Sequence, residues 1–158
     1  MAAVPPRWLV DEMLGRLAKY LRFVGGDVVY VRGLADEEVR DRARAEGRVL
    51  VTRDRELARR VPHAVLLTSP LLGEQWAELR RQHPETPTEL RFGRCTLCNG
   101  ALRPLPPSAP DPPDRRGRPL RHAPGVPRYG CEACGHVYWE GTHTAKIRAQ
   151  LAAWSRRS

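Results

Sequence analysis

What this chain lacks narrows it first. No apolar run approaches the roughly 20 residues needed to cross a bilayer, and Met1–Pro6 has neither the basic start nor the apolar core of a secretion signal. Both absences lead us to expect a cytoplasmic protein with no membrane partner. Cysteine is scarce: only four occur, in two pairs, Cys95/Cys98 and Cys131/Cys134. In a reducing compartment such pairs suggest metal rather than disulfides. Acid is scarce in the second half. Residues 92–158 hold 11 Lys/Arg against 4 Asp/Glu, a net of +7, whereas residues 1–91 hold 16 against 14, a net of +2. A basic half beside a nearly balanced one suggests a polyanionic partner, RNA or DNA first. A GC-rich genome that favours Arg, Pro and Ala accounts for the same imbalance. The 158 residues suffice for one compact domain plus a small module.

The stretch Trp8–Arg22 organises the rest. Trp8-Leu9-Val10 reads as a short buried strand that ends in Asp11. A helical pattern follows at once: Leu14, Leu17, Ala18, Leu21 and Val24 share one face, with Arg16, Lys19 and Arg22 off it. Gly25-Gly26 closes that helix. Further along come a strand at Asp27–Val31, a helix opened by Asp36 as N-cap and stopped by Gly47, and a strand at Arg48–Thr52. Then follow a short helix at Asp54–Arg60, a strand at Ala64–Leu67 and a helix at Gly73–His83. The order βαβαβαβα predicts a parallel sheet with right-handed crossovers and helices on both faces.

In such a sheet the ligand site lies at the strand C-termini. Asp11 and Asp54 follow the first and third strands, and Asp36 opens the helix after the second. Carboxylates are hard ligands that suit Mg²⁺ or Mn²⁺, and gathered carboxylates repel one another unless a cation sits among them. Glu12, Glu37 and Glu56 are reserve acids on the same loops. Arg53 and Arg55 flank Asp54 and suit phosphates through their bidentate forks. Arg16 is a further supporting cation, and Thr52 a hydrogen-bonding partner for an acid or a metal-bound water. A plainer reading stands beside each: Asp36 and Asp54 as helix caps, the arginines in surface ion pairs with Glu56 or Asp36, Thr52 as an ordinary β-branched strand residue.

Pro84–Leu90 reads as a linker. Two Cys-x-x-Cys knuckles separated by 32 residues indicate one closed Cys₄ zinc site, structural because no ligand position is left for water. Four thiolates around Zn²⁺ carry two negative charges, which brings the C-terminal excess to about +5. Gly100 and Gly135 allow the tight turns. Between the knuckles, residues 103–128 are rich in Pro and Arg, and nine of the fifteen prolines fall between Leu102 and Arg128. Such a segment buries too little apolar surface to order itself and reads as a flexible loop. Val137–Trp139 is a strand and Ala145–Trp154 a last helix anchored by Trp154. Tyr138 and Trp139 suit the small core of a ribbon, or bases. His143 is either a polar contact at a nucleic-acid cleft or a helix-start residue.

These motifs together resemble one family. Leu9-Val10-Asp11-Glu12-Met13-Leu14-Gly15-Arg16-Leu17-Ala18 with Leu21-Arg22 and Gly25, Asp36-Glu37-Glu38-Val39 and Arg48-Val49-Leu50-Val51-Thr52-Arg53-Asp54-Arg55-Glu56-Leu57 resemble the Mut-seven C-terminal RNase domain, a branch of the PIN-like nucleases. Cys95-Thr96-Leu97-Cys98-Asn99-Gly100, Cys131-Glu132-Ala133-Cys134-Gly135 and Tyr138-Trp139-Glu140-Gly141-Thr142-His143 complete the likeness. The resemblance implies an α/β protein with a PIN-like three-layer α/β/α domain over residues 7–90. It implies a Cys₄ zinc ribbon, the insert and a terminal helix over 91–158. It further implies metal-dependent hydrolysis of RNA, with Asp11, Asp36 and Asp54 as catalytic acids around Mg²⁺ or Mn²⁺ and Glu56 or Glu37 as a fourth. The RNA, whether tRNA, rRNA or mRNA, is not named by the sequence, nor is the oligomeric state. Two other functions fit the same residues: a non-catalytic RNA-binding adaptor that uses the basic ribbon, and a toxin-type PIN endoribonuclease, against which the ribbon argues.

Overall fold

The computed structural model describes residues 4–157, so Met1–Ala3 of the Met1–Pro6 segment and Ser158 lie outside the described residues. Four strands, β1 (Trp8–Val10), β2 (Val28–Tyr30), β3 (Val49–Thr52) and β4 (Val65–Leu66), form a parallel sheet in the order β2-β1-β3-β4. Between them run a 3₁₀ turn (Glu12–Leu14), α1 (Gly15–Phe23), α2 (Asp36–Glu46) and α3 (Arg55–Arg60), and α4 (Leu72–Gln82) follows β4. Side chains alternate across a strand, so a three-residue strand can feed two cores. Trp8 and Val10 face a core with Leu17, Leu21, Trp76 and Leu79 from α1 and α4. Leu9 faces the opposite core, with Val39 and Ala43 of α2 and Leu57 of α3. This is the three-layer α/β/α arrangement.

The second region is a three-stranded antiparallel ribbon, β5 (Leu102–Pro104), β6 (Arg128–Cys131) and β7 (Val137–Trp139), in that order. The ends of the insert are therefore strand rather than loop. Arg128, buried at the start of β6, gathers the insert's first part: it donates to the carbonyls of Pro106, Pro107 and Ala109 and pairs with Asp111. The apolar deficit of this stretch is offset by one guanidinium with several acceptors.

The last helix, α5 (Thr142–Ser155), starts three residues earlier than its apolar pattern, where the Thr144 hydroxyl accepts from the Gly141 amide at 2.8 Å. It packs against helices α1 and α4 of the first region. Leu151 joins the core of α1 and α4, and the Trp154 ring lies 4.8 Å from that of Tyr20 and 6.4 Å from that of Trp76. Trp154 is thus the anchor that the sequence suggested. No helix among the described residues is long and apolar enough to cross a membrane.

Candidate active site and metal centre

All four strands point the same way, so their C-terminal ends share one lip. The chain leaves β1 through α1 to β2 on one side, then returns across β1 to β3 on the other. The order reverses between β1 and β3, and crevices of open α/β sheets form at such a reversal. Asp11 follows β1 and Asp54 lies two residues past Thr52, the last residue of β3.

A buried threonine joins these two carboxylate residues. The Asp54 amide donates to Thr52 Oγ1 at 3.0 Å, and Thr52 Oγ1 donates to Asp11 Oδ2 at 2.8 Å. The direction follows from chemistry: an ionised carboxylate only accepts, and an amide only donates. Thr52 is fully buried, which fixes the relay. The other Asp11 oxygen accepts from the Glu12 amide at 2.7 Å. Asp54 Oδ1 caps α3 by accepting from the amides of Glu56 and Leu57 at 2.8 and 3.0 Å. Its Oδ2 has no protein donor among the described residues.

The remaining expected residues are placed differently from one another. Asp36 is the first residue of α2, not its cap. Ala35 occupies the cap, and Glu38 reaches back to the Ala35 amide at 2.8 Å. The Asp36 carboxylate stands 3.8 Å from Arg60 of α3. Glu12 holds the loop before α2, accepting from the Gly33 amide at 3.0 Å. Glu56 pairs with Arg59, and Glu37 is exposed. Arg53 turns toward β4 and donates to the Thr68 carbonyl at 3.3 Å, while Arg55 is exposed. Arg16 is exposed on α1 beside the lip. His143, also exposed, sits in the first turn of α5. Tyr20 meets Gln150 and Phe23 lies beside Ile147, so α5 runs antiparallel to α1 and starts at the end away from the lip.

Sequence reasoning passed over two acids of α4. Glu78 accepts from the amides of Thr68 and Ser69 at 2.7 and 3.1 Å and from the Thr68 hydroxyl at 3.0 Å, and Glu74 pairs with the Ser69 hydroxyl. Their i,i+4 spacing behind a Thr-Ser loop was the available signal. Both shape the lip at β4.

Asp11 and Asp54 are hard oxygen donors on one solvent-open edge, a donor set that fits Mg²⁺ or Mn²⁺. The tightest metal-binding arrangement is elsewhere. Among the described residues, only the sulfurs of Cys95, Cys98, Cys131 and Cys134 form a group of three or more candidate ligands all within 4.8 Å of one another. The aspartates are spread more widely. Cys95 Sγ lies 3.6 Å from Cys134 Sγ, and Cys98 Sγ 3.5 Å from Cys131 Sγ. A tetrahedron with Zn–S bonds of about 2.3 Å has edges of about 3.8 Å. The four cysteines therefore suit a metal ion such as zinc. Burial pushes the Cys95 thiol up, but hydrogen bonds from the Tyr138 hydroxyl and the amides of Leu97 and Cys98 outweigh it and bring it down to about 7. Tyr138 thus serves the cluster as well as the ribbon's core. Asn99 at φ 67° and Gly135 at φ 75° supply the left-handed turns. Gly100 serves by its missing side chain instead, since a Cβ there would lie 2.8 Å from Cys131 Sγ.

The family described as Mut7-C RNAse domain matches residues 6–151. The chain belongs to the Mut7-C RNAse domain family. Comparison with curated proteins gives no match, and comparison with solved structures gives none either.

In this Mut7-C chain the cysteine centre is fastened to the nuclease-like domain. Arg22, expected off the apolar face of α1, is buried. It donates to the Val28 carbonyl at 2.8 and 3.0 Å and to the carbonyls of Thr96 and Leu97 at 3.1 and 3.4 Å. Asn99 accepts from the Val28 amide and donates to Asp27, each at 2.8 Å. The first knuckle is thus tied to the start of β2 through the side chains of Arg22 and Asn99.

Proposed function

We propose that this Mut7-C chain is a metal-dependent ribonuclease that hydrolyses RNA phosphodiester bonds at the lip between β1 and β3. The observation that carries the reading is the Asp54–Thr52–Asp11 relay, which sets two acids from separate strands at the reversal of strand order. Asp11 and Asp54, with Asp36, would hold Mg²⁺ or Mn²⁺. A divalent cation there supplies charge to a phosphate oxygen and lowers the pKa of a bound water. Thr52 fixes the Asp11 carboxylate in one orientation, and Asp54 keeps Oδ2 for the cation while Oδ1 caps α3. Arg55 and Arg16, both exposed, would neutralise substrate phosphates. We read residues 7–90 as the catalytic unit and 91–158 as a structural zinc ribbon whose terminal helix buttresses it.

The test is cleavage of labelled RNAs and DNAs by zinc-loaded protein with Mg²⁺, Mn²⁺ or neither. Wild-type protein should cut RNA only with an added divalent ion, and Asp11→Asn should abolish cutting while the fold and the zinc content persist. An Asp11→Asn protein that cuts at the wild-type rate overturns the reading.

The pairing of Asp36 with Arg60 favours a second reading, a non-catalytic RNA-binding adaptor. Titration with Mn²⁺ separates the two. A melting temperature that rises with Mn²⁺ in wild type and not in Asp11→Asn supports the enzyme. Salt-sensitive RNA binding indifferent to Mn²⁺ supports the adaptor.

A further inference from the structure

Beside the lip, on the α1 face of the sheet, a hollow of about 380 Å³ is walled by Met13, Arg16, Pro70 and Leu72. Farther along α1 a second hollow, of about 290 Å³, lies between Arg16, Lys19, Phe23 and Ile147. Arg16 lines both, so the two hollows meet at its side chain and form a groove along α1 from Met13, two residues past Asp11, away from the lip. From Met13 to Phe23 it extends about 15 Å at the helical rise. Arg16 and Lys19 are its only charged lining residues, and no carboxylate lines either hollow. Neither cation forms a salt bridge among the described residues; the Lys19 ammonium stands 5.7 Å over the Phe23 ring. At the mouth Met13 is 61% exposed, and Leu71, between the lining residues Pro70 and Leu72, is 60% exposed.

We infer that this groove is a subsite for the RNA strand next to the cleaved bond, an inference that rests on the ribonuclease reading above. Arg16 and Lys19, three residues apart on one helix face, hold backbone phosphates. An unpaired base lies against the exposed Met13 and Leu71. The lining favours this occupant on two grounds. Its charge is all of one sign, complementary to a polyanion. Its apolar mouth rewards a base free of its own stack, which a duplex withholds. The strand's path is thus set by α1 and α5.

The test is fluorescence anisotropy of a labelled single-stranded RNA in zinc-containing buffer without Mg²⁺ or Mn²⁺, so that binding is read without cleavage. Arg16→Glu with Lys19→Glu should weaken binding about tenfold or more and reduce the salt slope by about 1.4, the value for two phosphate contacts on a single strand. Arg115→Glu with Arg116→Glu, the same charge change in the insert, should leave affinity within about twofold. Met13→Ala with Leu71→Ala should weaken binding with the salt slope unchanged. Circular dichroism should show all three proteins folded, because every substituted residue is solvent-facing. Equal loss from the insert variant, equal affinity for an RNA duplex, or full competition by a polyglutamate peptide each overturns the subsite. Groove-dependent binding by a protein that cuts no RNA under any ion discards the ribonuclease reading and keeps the groove as an RNA site.

Discussion

Arg22, on the first helix of the α/β domain, donates to the carbonyl of Thr96 inside the first Cys-x-x-Cys knuckle, 74 residues along the chain. Asn99, the residue after that knuckle, closes the contact from the other side, on Val28 and Asp27. The cysteine cluster is therefore tied to the edge of the first sheet, and loss of a metal held there should be felt in that sheet. Chelation should lower the melting temperature of the whole chain in one transition. Loss of hydrogen bonds worth about 3 kcal/mol in sum corresponds to about 6–12 °C for a chain of this size. Calorimetry before and after chelation checks it, and two separated transitions would show the ribbon to be independent.

Among the described residues, Thr52 is the one side chain hydrogen-bonded to both Asp11 and Asp54. Thr52→Val keeps the shape but leaves the Asp54 amide and Asp11 Oδ2 without their partner. A buried polar group so orphaned costs about 1–3 kcal/mol. We expect kcat to fall about tenfold or more with KM little changed, since the hydroxyl orients a carboxylate and touches no distant part of the substrate. Thr52→Ser, which keeps the hydroxyl, should restore most of kcat. A serine variant as impaired as the valine one would mean that the methyl group, not the hydroxyl, matters.

Local features made much of this fold legible in the sequence. The apolar triplets Trp8–Val10 and Val49–Val51 are each strand and core in one, and the acids that follow them, Asp11 and Asp54, lie one and three positions on. The paired cysteines were legible because a knuckle is four residues long. Arg22 was not: its burial depends on carbonyls of Val28, Thr96 and Leu97, and nothing in its neighbourhood announces acceptors so far along the chain. The same is true of Arg128, whose acceptors lie about twenty residues back. Asp36 sits one residue inside its helix because Glu38 can reach the Ala35 amide, a choice between two acids that the string Asp36-Glu37-Glu38 leaves open. The docking of α5 on α1 and α4 rests on Trp154 meeting Tyr20 and Trp76, long-range partners that helical periodicity does not name.

Asp27 gives the joint between sheet and ribbon a pH dependence. Burial raises its pKa, but hydrogen bonds from Arg48, Asn99 and Arg7 outweigh that and hold the carboxyl at about 2. An unfolded aspartate titrates near 3.9. The folded value is the lower one, so this stabilisation is complete above about pH 4 and is lost as pH falls toward 2. Asp27→Asn should therefore be less stable than wild type at neutral pH, with the gap narrowing through that window. Acid would also release zinc held by the cysteines of either protein, so the quantity to follow is the difference between them, by urea unfolding at a series of pH values. A gap that stays constant from pH 6 to pH 2 would mean that Asp27 acts without its charge.

Gly100 and Gly135 follow equivalent knuckles yet should respond differently to alanine. At Gly100 a Cβ would lie 2.8 Å from Cys131 Sγ, 2.9 Å from Ala133 Cβ and 3.2 Å from Cys98 Sγ. Its amide donates to Cys98 Sγ at 3.4 Å and its carbonyl accepts from the Cys95 amide at 2.8 Å, so the backbone has no room to retreat. Gly135 has open space around a would-be Cβ but holds φ at +75°. Gly100→Ala displaces sulfurs and should weaken zinc binding about 10–100-fold, the usual cost of disturbing the groups that orient metal ligands. Gly135→Ala pays only backbone strain, about 1 kcal/mol, and should keep most of its zinc affinity. Competition with a chromophoric chelator reads both. Equal losses would place the demand for glycine in the turn rather than in the space beside the sulfurs.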